Sequence, residues 1–247
     1  MRNKLTCHAL LAWISLNGCA PLQAEELKLA SGEFPPYSST SLPEHGFSSQ
    51  IVQEAFQASG YRTALFFVPW RRAAAQTASG QYDASYPWAM NRARLRQFLY
   101  SKALYQDEIR FFARLDGNLE DERNWHGKSL CIPLGWDISQ VQMFITRYRL
   151  KLEQPSHLEN CFRMIEAGRF ALTAVNIRVG ERLRAQLKLR WIGPVGSTIA
   201  QDKNYLIVSR THPRATQLID AFNRGLEQIR RNGRYRQILE NAALQNR

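Results

Sequence analysis

Beyond its first 24 positions, the chain of 247 residues has no apolar run long enough to cross a membrane, which needs about 20 residues. The apolar run at residues 5–16 is too short as well, and it follows the basic residues Arg2 and Lys4. A basic start and a short apolar run are typical of an export leader. We therefore interpret residues 1–24 as a targeting segment and expect the mature chain to leave the cytoplasm.

Two processing routes are compatible with this leader. Residues 16–19, Leu-Asn-Gly-Cys, resemble the bacterial lipobox, in which Cys19 would be acylated and become the new terminus. Residues 22–24, Leu-Gln-Ala, are instead suited to ordinary signal peptidase, with Glu25 as the first mature residue. On either route, the membrane would be reached only through a lipid anchor on Cys19.

Cysteine is scarce, because two of the four cysteines fall within the leader. The remaining pair, Cys131 and Cys161, would sit in an oxidising compartment, where two lone thiols tend to form a disulfide. Two buried free thiols are the alternative. A metal site is not expected, because His126 and His157 have no ligand-like spacing to either cysteine.

The formal charge of +12 raises the question of nucleic-acid binding. The basic residues are scattered at helical spacings, however, and no long basic run is interleaved with stacking aromatics. We expect no nucleic-acid partner and no cofactor. The charge favours acidic small molecules or an anionic envelope surface instead.

Strand and helix patterns alternate along the whole mature chain, which predicts an α/β protein with largely parallel sheets. A polar run at residues 116–123 separates two similar halves, so two lobes are expected. Ser48 or Ser49 is predicted to cap one helix, and Ser156 with Glu159 forms a capping box for another. Separate strands are predicted at residues 188–192 and 205–209.

Residues 80–88 suggest a binding crevice. A short strand there ends in Tyr86 and Trp88, and Arg94 follows on the next helix. In open α/β sheets, ligands bind at the carboxyl ends of strands. The alternative is that both rings merely fill the core. A similar element that ends at Asn176, in the other half of the chain, favours the binding interpretation.

Several short motifs follow one another along the chain. They are Gly32-Glu33-Phe34-Pro35-Pro36-Tyr37, Pro69-Trp70, Gly80-Gln81-Tyr82-Asp83-Ala84, Arg94 before Ser101, Gly127-Lys128 before a strand ending in a Gly135 loop, Gly168-Arg169 and Asn232-Gly233-Arg234-Tyr235. In the order and spacing of these motifs, the chain resembles the family 3 bacterial solute-binding proteins. That family includes the amino-acid-binding proteins of ABC importers. The resemblance covers essentially the whole mature chain.

The resemblance implies a type II periplasmic binding protein-like fold, with two α/β lobes joined by a two-segment hinge. Lobe 1 would comprise residues 25–107 and 205–247, and lobe 2 residues 108–204. A small-molecule ligand would lie between the lobes and be enclosed by hinge closure. The protein is expected to be a periplasmic monomer that serves an ABC transporter permease or a membrane sensor.

The resemblance also implies site residues. In relatives that bind α-amino acids, an arginine at the position of Arg94 grips the carboxylate, and Tyr37 matches a ligand-packing aromatic. Two positions depart from the family pattern, since Asn91 replaces a threonine and Asn176 replaces an acid. The candidate ligand-binding residues are Glu33, Tyr37, Trp70, Tyr86, Trp88, Asn91, Arg94, Trp136, Asp137 and Asn176.

The leading functional hypothesis is a non-catalytic binding protein for a small polar, carboxylate-bearing solute. The alternative is an enzyme on the same scaffold, similar to the cyclohexadienyl dehydratases. Catalysis would need a placed acid or base, for which Glu33, Asp137 and His45 are the candidates. No convergent Ser-His-Asp trio is apparent, so we expect no catalytic residues.

Overall fold

The computed structural model describes residues 26–136 and 138–245. The predicted leader, the possible acylation site Cys19 and the candidate residue Asp137 lie outside the described residues. Within the described part, no helix is both long and apolar enough to cross a membrane.

Helices and strands alternate as predicted. The strands are β1 Glu26–Ser31, β2 Arg62–Phe67, β3 Ala84–Ala89, β4 Phe98–Tyr100, β5 Tyr105–Arg114, β6 Ser129–Cys131, β7 Lys151–Glu153, β8 Leu172–Asn176 and β9 Ile192–Ser209. The helices are α1 Phe47–Ala58, α2 Trp70–Ala78, α3 Arg92–Gln97, α4 Gln142–Tyr148, α5 Leu158–Glu166, α6 Ile177–Gln186, α7 Ala215–Arg231 and α8 Arg234–Gln245. Short 3₁₀ turns occupy Pro43–His45 and Glu122–Trp125.

The strands form one sheet in the order β2-β1-β3-β9-β5-β8-β6-β7, with β4 also paired to β9. Pairing within each half is parallel, for β1 with β2 and β3 and for β6 with β7 and β8. The central pairs of β9 with β3 and β5, and of β5 with β8, are antiparallel. The expectation of largely parallel sheets therefore holds for the two ends of the sheet and not for its centre.

The buried side chains form separate clusters in the two halves. The largest cluster joins β1, β3, α1, α7 and α8, and two further clusters lie among residues 111–195. Strand β5 contributes to both halves, because Tyr105 belongs to the first cluster and Phe111 to the second. Strand β9 does the same through Leu206 and Val195. Strands β5 and β9, which contain the lobe boundaries predicted at residues 107 and 204, are thus the ones that run from one core to the other.

Helices α1 and α7 pack closely because of a glycine. The apolar stripe of α1, which includes Ile51 and Phe56, is buried against Phe222 and other residues of α7. A Cβ atom on Gly225 would lie 1.7 Å from the carbonyl oxygen of Ala55, so no larger residue fits there without moving a helix. The helical periodicity of the sequence identified both stripes.

Three predicted element boundaries are wrong. Helix α1 has Gly46 at its N-cap, while Ser48 and Ser49 lie inside the first turn and donate hydrogen bonds back to the carbonyl oxygens of Tyr37 (2.7 Å) and His45 (2.8 Å). The α5 cap is His157, without a side-chain capping bond, so the capping box predicted at Ser156 does not form. Residues 188–191 form a turn instead of the predicted strand, and the strand predicted at residues 205–209 is only the end of β9, because the pairing of β9 with β5 includes the polar residues 201–204.

The predicted disulfide between Cys131 and Cys161 is confirmed. It joins the end of β6 to helix α5, and both residues are fully buried in the same apolar cluster. The bridge closes a loop with a sequence separation of 30 residues. It therefore ties two elements of the second half together within the core.

Candidate ligand-binding site

One wall of the candidate site is an aromatic group made of Phe34, Trp70 and Trp88. The Trp70 and Trp88 rings meet edge to face at 5.0 Å, and Phe34 meets Trp70 at 6.5 Å. The indole Nε1 of Trp88 donates a hydrogen bond to Ser85 Oγ at 2.8 Å. A Cβ atom on Gly32 would lie 2.4 Å from the Trp70 ring, so the start of the Gly32–Tyr37 motif must be glycine for Trp70 to pack there.

Arg94 lies over this aromatic group. Its guanidinium carbon is 4.7 Å from the centre of the Trp88 ring, a cation–π distance, and its Nη1 donates to the carbonyl oxygen of Ala89 at 2.8 Å. The Arg94 charge also lowers the pKa of the neighbouring Tyr100, although burial, the larger influence, raises that pKa overall. The half-buried guanidinium is therefore held in a defined place beside a stacking surface.

Asn91 positions this arginine indirectly. Its side-chain oxygen accepts a hydrogen bond at 2.8 Å from the backbone nitrogen of Arg94, which makes Asn91 the N-cap of α3. The structure thus gives Asn91 a capping role at the start of the arginine-bearing helix. The contact between Asn91 and a ligand, which the family resemblance implies, stays a prediction.

Tyr37 and Tyr86 are fully buried in the core. The Tyr37 ring stacks between Phe34 (4.6 Å) and Tyr105 (5.0 Å), and its hydroxyl donates to the carboxylate of Asp107. Burial raises the pKa of Tyr86, whose hydroxyl donates to Ser49 Oγ at 3.1 Å. Both rings are covered by protein in this structure, which for Tyr86 is the core-filling alternative, and neither presents a free face to a cleft here.

Glu33 is an exposed loop carboxylate. Its Oε1 accepts hydrogen bonds from the backbone nitrogen (3.1 Å) and hydroxyl (2.8 Å) of Thr40. Partial burial acts to raise its pKa, but hydrogen bonds from Ser39 and Thr40 outweigh that influence and lower the pKa below the usual value. Glu33 therefore stays ionised and stabilises the loop.

The second wall is formed by residues between positions 109 and 202, and it lines a cavity of about 230 Å³. It includes two of the predicted residues, Trp136, which is 45% exposed, and Asn176, which ends β8. Among the described residues, the cavity is lined by Ile109, Ile132, Trp136, Gln140, Val141, Ala174, Val175, Asn176 and Asp202. Neither the aromatic group nor Arg94 is among them, so the two walls are separate in this structure.

Two aspartates face each other where β5 pairs with β9. Asp107 of β5 and Asp202 of β9 are cross-strand partners. Asp202 Oδ2 accepts long hydrogen bonds of 3.4 Å from the side-chain amides of Asn176 and Asn204. Burial raises the pKa of Asp107 to about 6, and the Asp202 charge adds to the effect, while the Glu108 backbone nitrogen and Arg178 act against it.

Neither aspartate was predicted from the sequence. Asp202 stands in a polar stretch between the two predicted strands, and Asp107 is predicted only to end the first segment of lobe 1. The spacing of Asp202 and Asn204 is the one available signal, because residues two apart share a face of a strand. That signal has meaning only once β9 is known to be continuous.

The described residues contain no group of three or more His, Cys, Asp or Glu side chains arranged to hold a metal ion. The side chains of the two walls take part in ring stacking, cation–π contact and hydrogen bonding.

Residues 28–243 match the model of the bacterial extracellular solute-binding proteins, family 3. This span covers most of the 247 residues, and the chain therefore belongs to that family. No individual curated protein sequence matches it significantly.

Solved structures with the same fold are similar in shape although their sequences have diverged. The probable amino-acid ABC transporter extracellular-binding protein ytmK from Bacillus subtilis has a TM-score of 0.76 at 12% identity, covering 87% of this chain and 96% of its own. Substrate-binding domain 2 of GlnP from Lactococcus lactis, in an open conformation, has a TM-score of 0.72 at 17% identity, covering 90% and 97%. The GluR0 ligand-binding core from Nostoc punctiforme, in complex with L-glutamate, has a TM-score of 0.66 at 15% identity, covering 87% and 98%. The fold is thus that of the type II periplasmic binding proteins.

Proposed function

We propose that the protein captures a small polar solute bearing a carboxylate between two lobes and delivers it to an ABC importer or a membrane sensor. The observation that carries the proposal is the Arg94 guanidinium, held over Trp88 by the carbonyl oxygen of Ala89. A planar guanidinium presents paired N–H donors to a carboxylate, and a fixed one loses little freedom on binding.

The division into lobes supports this proposal. Residues 25–107 and 205–247 would form lobe 1 and residues 108–204 lobe 2, in line with the separate buried clusters. Arg94 and the aromatic group belong to the first, whereas Trp136 and Asn176 belong to the second. Bending of β5 and β9 between the clusters would bring the two walls onto one ligand.

Two structural neighbours support a carboxylate ligand and a transport role for this protein. One is described as an amino-acid transporter component, and another was solved with L-glutamate. By analogy, the protein would act as a monomer outside the cytoplasm, after cleavage at Glu25 or anchoring through Cys19.

An enzymatic role is less well supported. Glu33, a candidate acid, directly precedes Phe34 of the aromatic group. Its pKa is lowered, and its carboxylate accepts hydrogen bonds from Thr40. An acid catalyst at neutral pH needs the opposite shift. His45 lies against the Phe67 ring, at 5.5 Å, on a surface turn. A binding role therefore fits the described residues better.

Arg94→Ala tests the proposal by calorimetric titration with amino acids and dicarboxylic acids. Losing a charge-assisted pair in a closed cleft should cost ~2–5 kcal/mol, which is more than about thirtyfold in affinity. Arg94→Lys should recover little, because an ammonium lacks the paired donors. Arg96→Ala, on the same helix and exposed, is the matched control. Affinity of Arg94→Ala within about threefold of the wild type would remove Arg94 from the site.

A further inference from the structure

Asp202 is a carboxylate that no cation neutralises within the described part of the chain. The ion pairs found there do not include it. Its hydrogen-bond donors are the neutral amides of Asn176 and Asn204, both at 3.4 Å. In a chain with a formal charge of +12, an acid without a basic partner is unexpected.

The position of Asp202 is unfavourable for stability. Its cross-strand partner is Asp107, another carboxylate, and like charges directly opposite each other in an antiparallel pair are destabilising. Arg178 pairs with Asp107, at 4.0 Å, and not with Asp202. A charge that is kept at a cost to folding, and that lines a cavity, is a candidate for ligand recognition.

Two other lining groups suit a cation. Trp136 lies at the edge of the same cavity and is 45% exposed, and an indole face attracts cations. Asn176 brings a carboxamide to the cavity and donates its amide hydrogen to Asp202, which orients the carboxylate. The remaining lining is largely apolar and would strengthen a charge pair by excluding water.

The register of β9 also places Asp202 near Arg94. Arg94 donates to the carbonyl oxygen of Ala89, Ala89 is the cross-strand partner of Asn204, and Asn204 donates to Asp202. Cross-strand partners lie about 5 Å apart and residues two apart on a strand about 7 Å apart. These contacts link the two side chains through β9, and closure of the two walls would let one small molecule with opposite charges at its two ends reach both.

We propose that Asp202 binds a cationic group of the ligand, an ammonium or a guanidinium, in the cavity beside Trp136 and Asn176. Asn176 carries no charge, so the anionic partner of this cationic group is Asp202 on β9 instead. The ligand class is then zwitterionic, with its carboxylate on Arg94 and its cationic group on Asp202. This inference rests on the proposed function and narrows it.

The test is calorimetric titration of wild type, Asp202→Asn, Asp202→Glu and the control Asp220→Asn, an exposed aspartate on α7. The probes are L-glutamine, L-arginine and L-histidine, then glutarate and propionate as acids without an amine. Asp202→Asn should weaken binding of an amine-bearing probe more than about tenfold, and Asp202→Glu should restore part of it. Without ligand, Asp202→Asn should unfold no earlier than the wild type, because the repulsion with Asp107 is gone.

The outcomes separate this inference from the proposed function. Binding of amine-bearing probes that Asp202→Asn leaves unchanged overturns the role of Asp202 and leaves the solute-binding proposal intact. Tight binding of glutarate or propionate, with no binding of the amino acids, does the same. If none of these probes binds the wild type, both proposals are overturned.

Discussion

The pH dependence of folding offers a direct test of the packing around Asp107, where β5 pairs with β9. This side chain is 4% exposed, and burial raises its pKa to about 6, well above the usual 3.8. The titratable and charged groups that face it are the Tyr37 hydroxyl, Tyr105 and Glu108 of its own strand, Asp202 from β9 and Arg178 from α6. Asp202 and Glu108 raise its pKa, whereas Arg178 lowers it, and burial is the largest influence.

The sign of the effect follows from proton counts. Between about pH 4 and pH 6, the folded protein holds a proton on Asp107 that the unfolded chain has already released. The contribution of Asp107 to the free energy of unfolding therefore falls as pH rises through this window. A shift from 3.8 to about 6 corresponds to roughly 3 kcal/mol between the two ends of the window.

Asp107→Asn removes this titration while keeping an oxygen that can accept from Tyr37. Urea unfolding followed by tryptophan fluorescence, from about pH 4 to about pH 8, should show the variant gaining roughly 3 kcal/mol relative to the wild type across the range. Asp220→Asn, which is exposed, should run parallel to the wild type. If the Asp107→Asn curve is also parallel to the wild type, Asp107 is not buried between β5 and its neighbours, and the packing inferred around it is wrong.

Two further predictions concern packing. Replacing both Cys131 and Cys161 with alanine should lower the free energy of unfolding by roughly 3–4 kcal/mol, and thiol titration of the unreduced, denatured wild type should detect no thiol from this pair. Gly225→Ala should destabilise by at least about 1–3 kcal/mol in urea unfolding, because the new Cβ would lie 1.7 Å from the Ala55 carbonyl oxygen. A Cβ atom on Gly117 would lie 3.4 Å from its nearest neighbour, so Gly117→Ala is the mild control. Equal urea midpoints for the two variants would contradict the α1–α7 contact.

Local patterns in the sequence were sufficient for much of the fold. The apolar stripe of α1, the helix Ile177–Gln186 and the family motifs all depend on neighbours within a few turns of chain. The Cys131–Cys161 pair could be proposed from compartment and cysteine number. The assignment of Arg94 beside Trp88 likewise came from a short span of sequence, and the structure places the two side chains in contact.

Long-range packing decided the rest. The family resemblance marks Tyr37 as a ligand-packing residue, yet its ring is buried against Tyr105 and its hydroxyl donates to Asp107 of the same distant strand. The continuity of β9 was hidden because its middle is polar, and a strand at the centre of a sheet is held by its two neighbours as well as by its own side chains. Asp202 opposes Asp107 only through that pairing. Register between distant strands is set by the packed sheet, and no local periodicity encodes it.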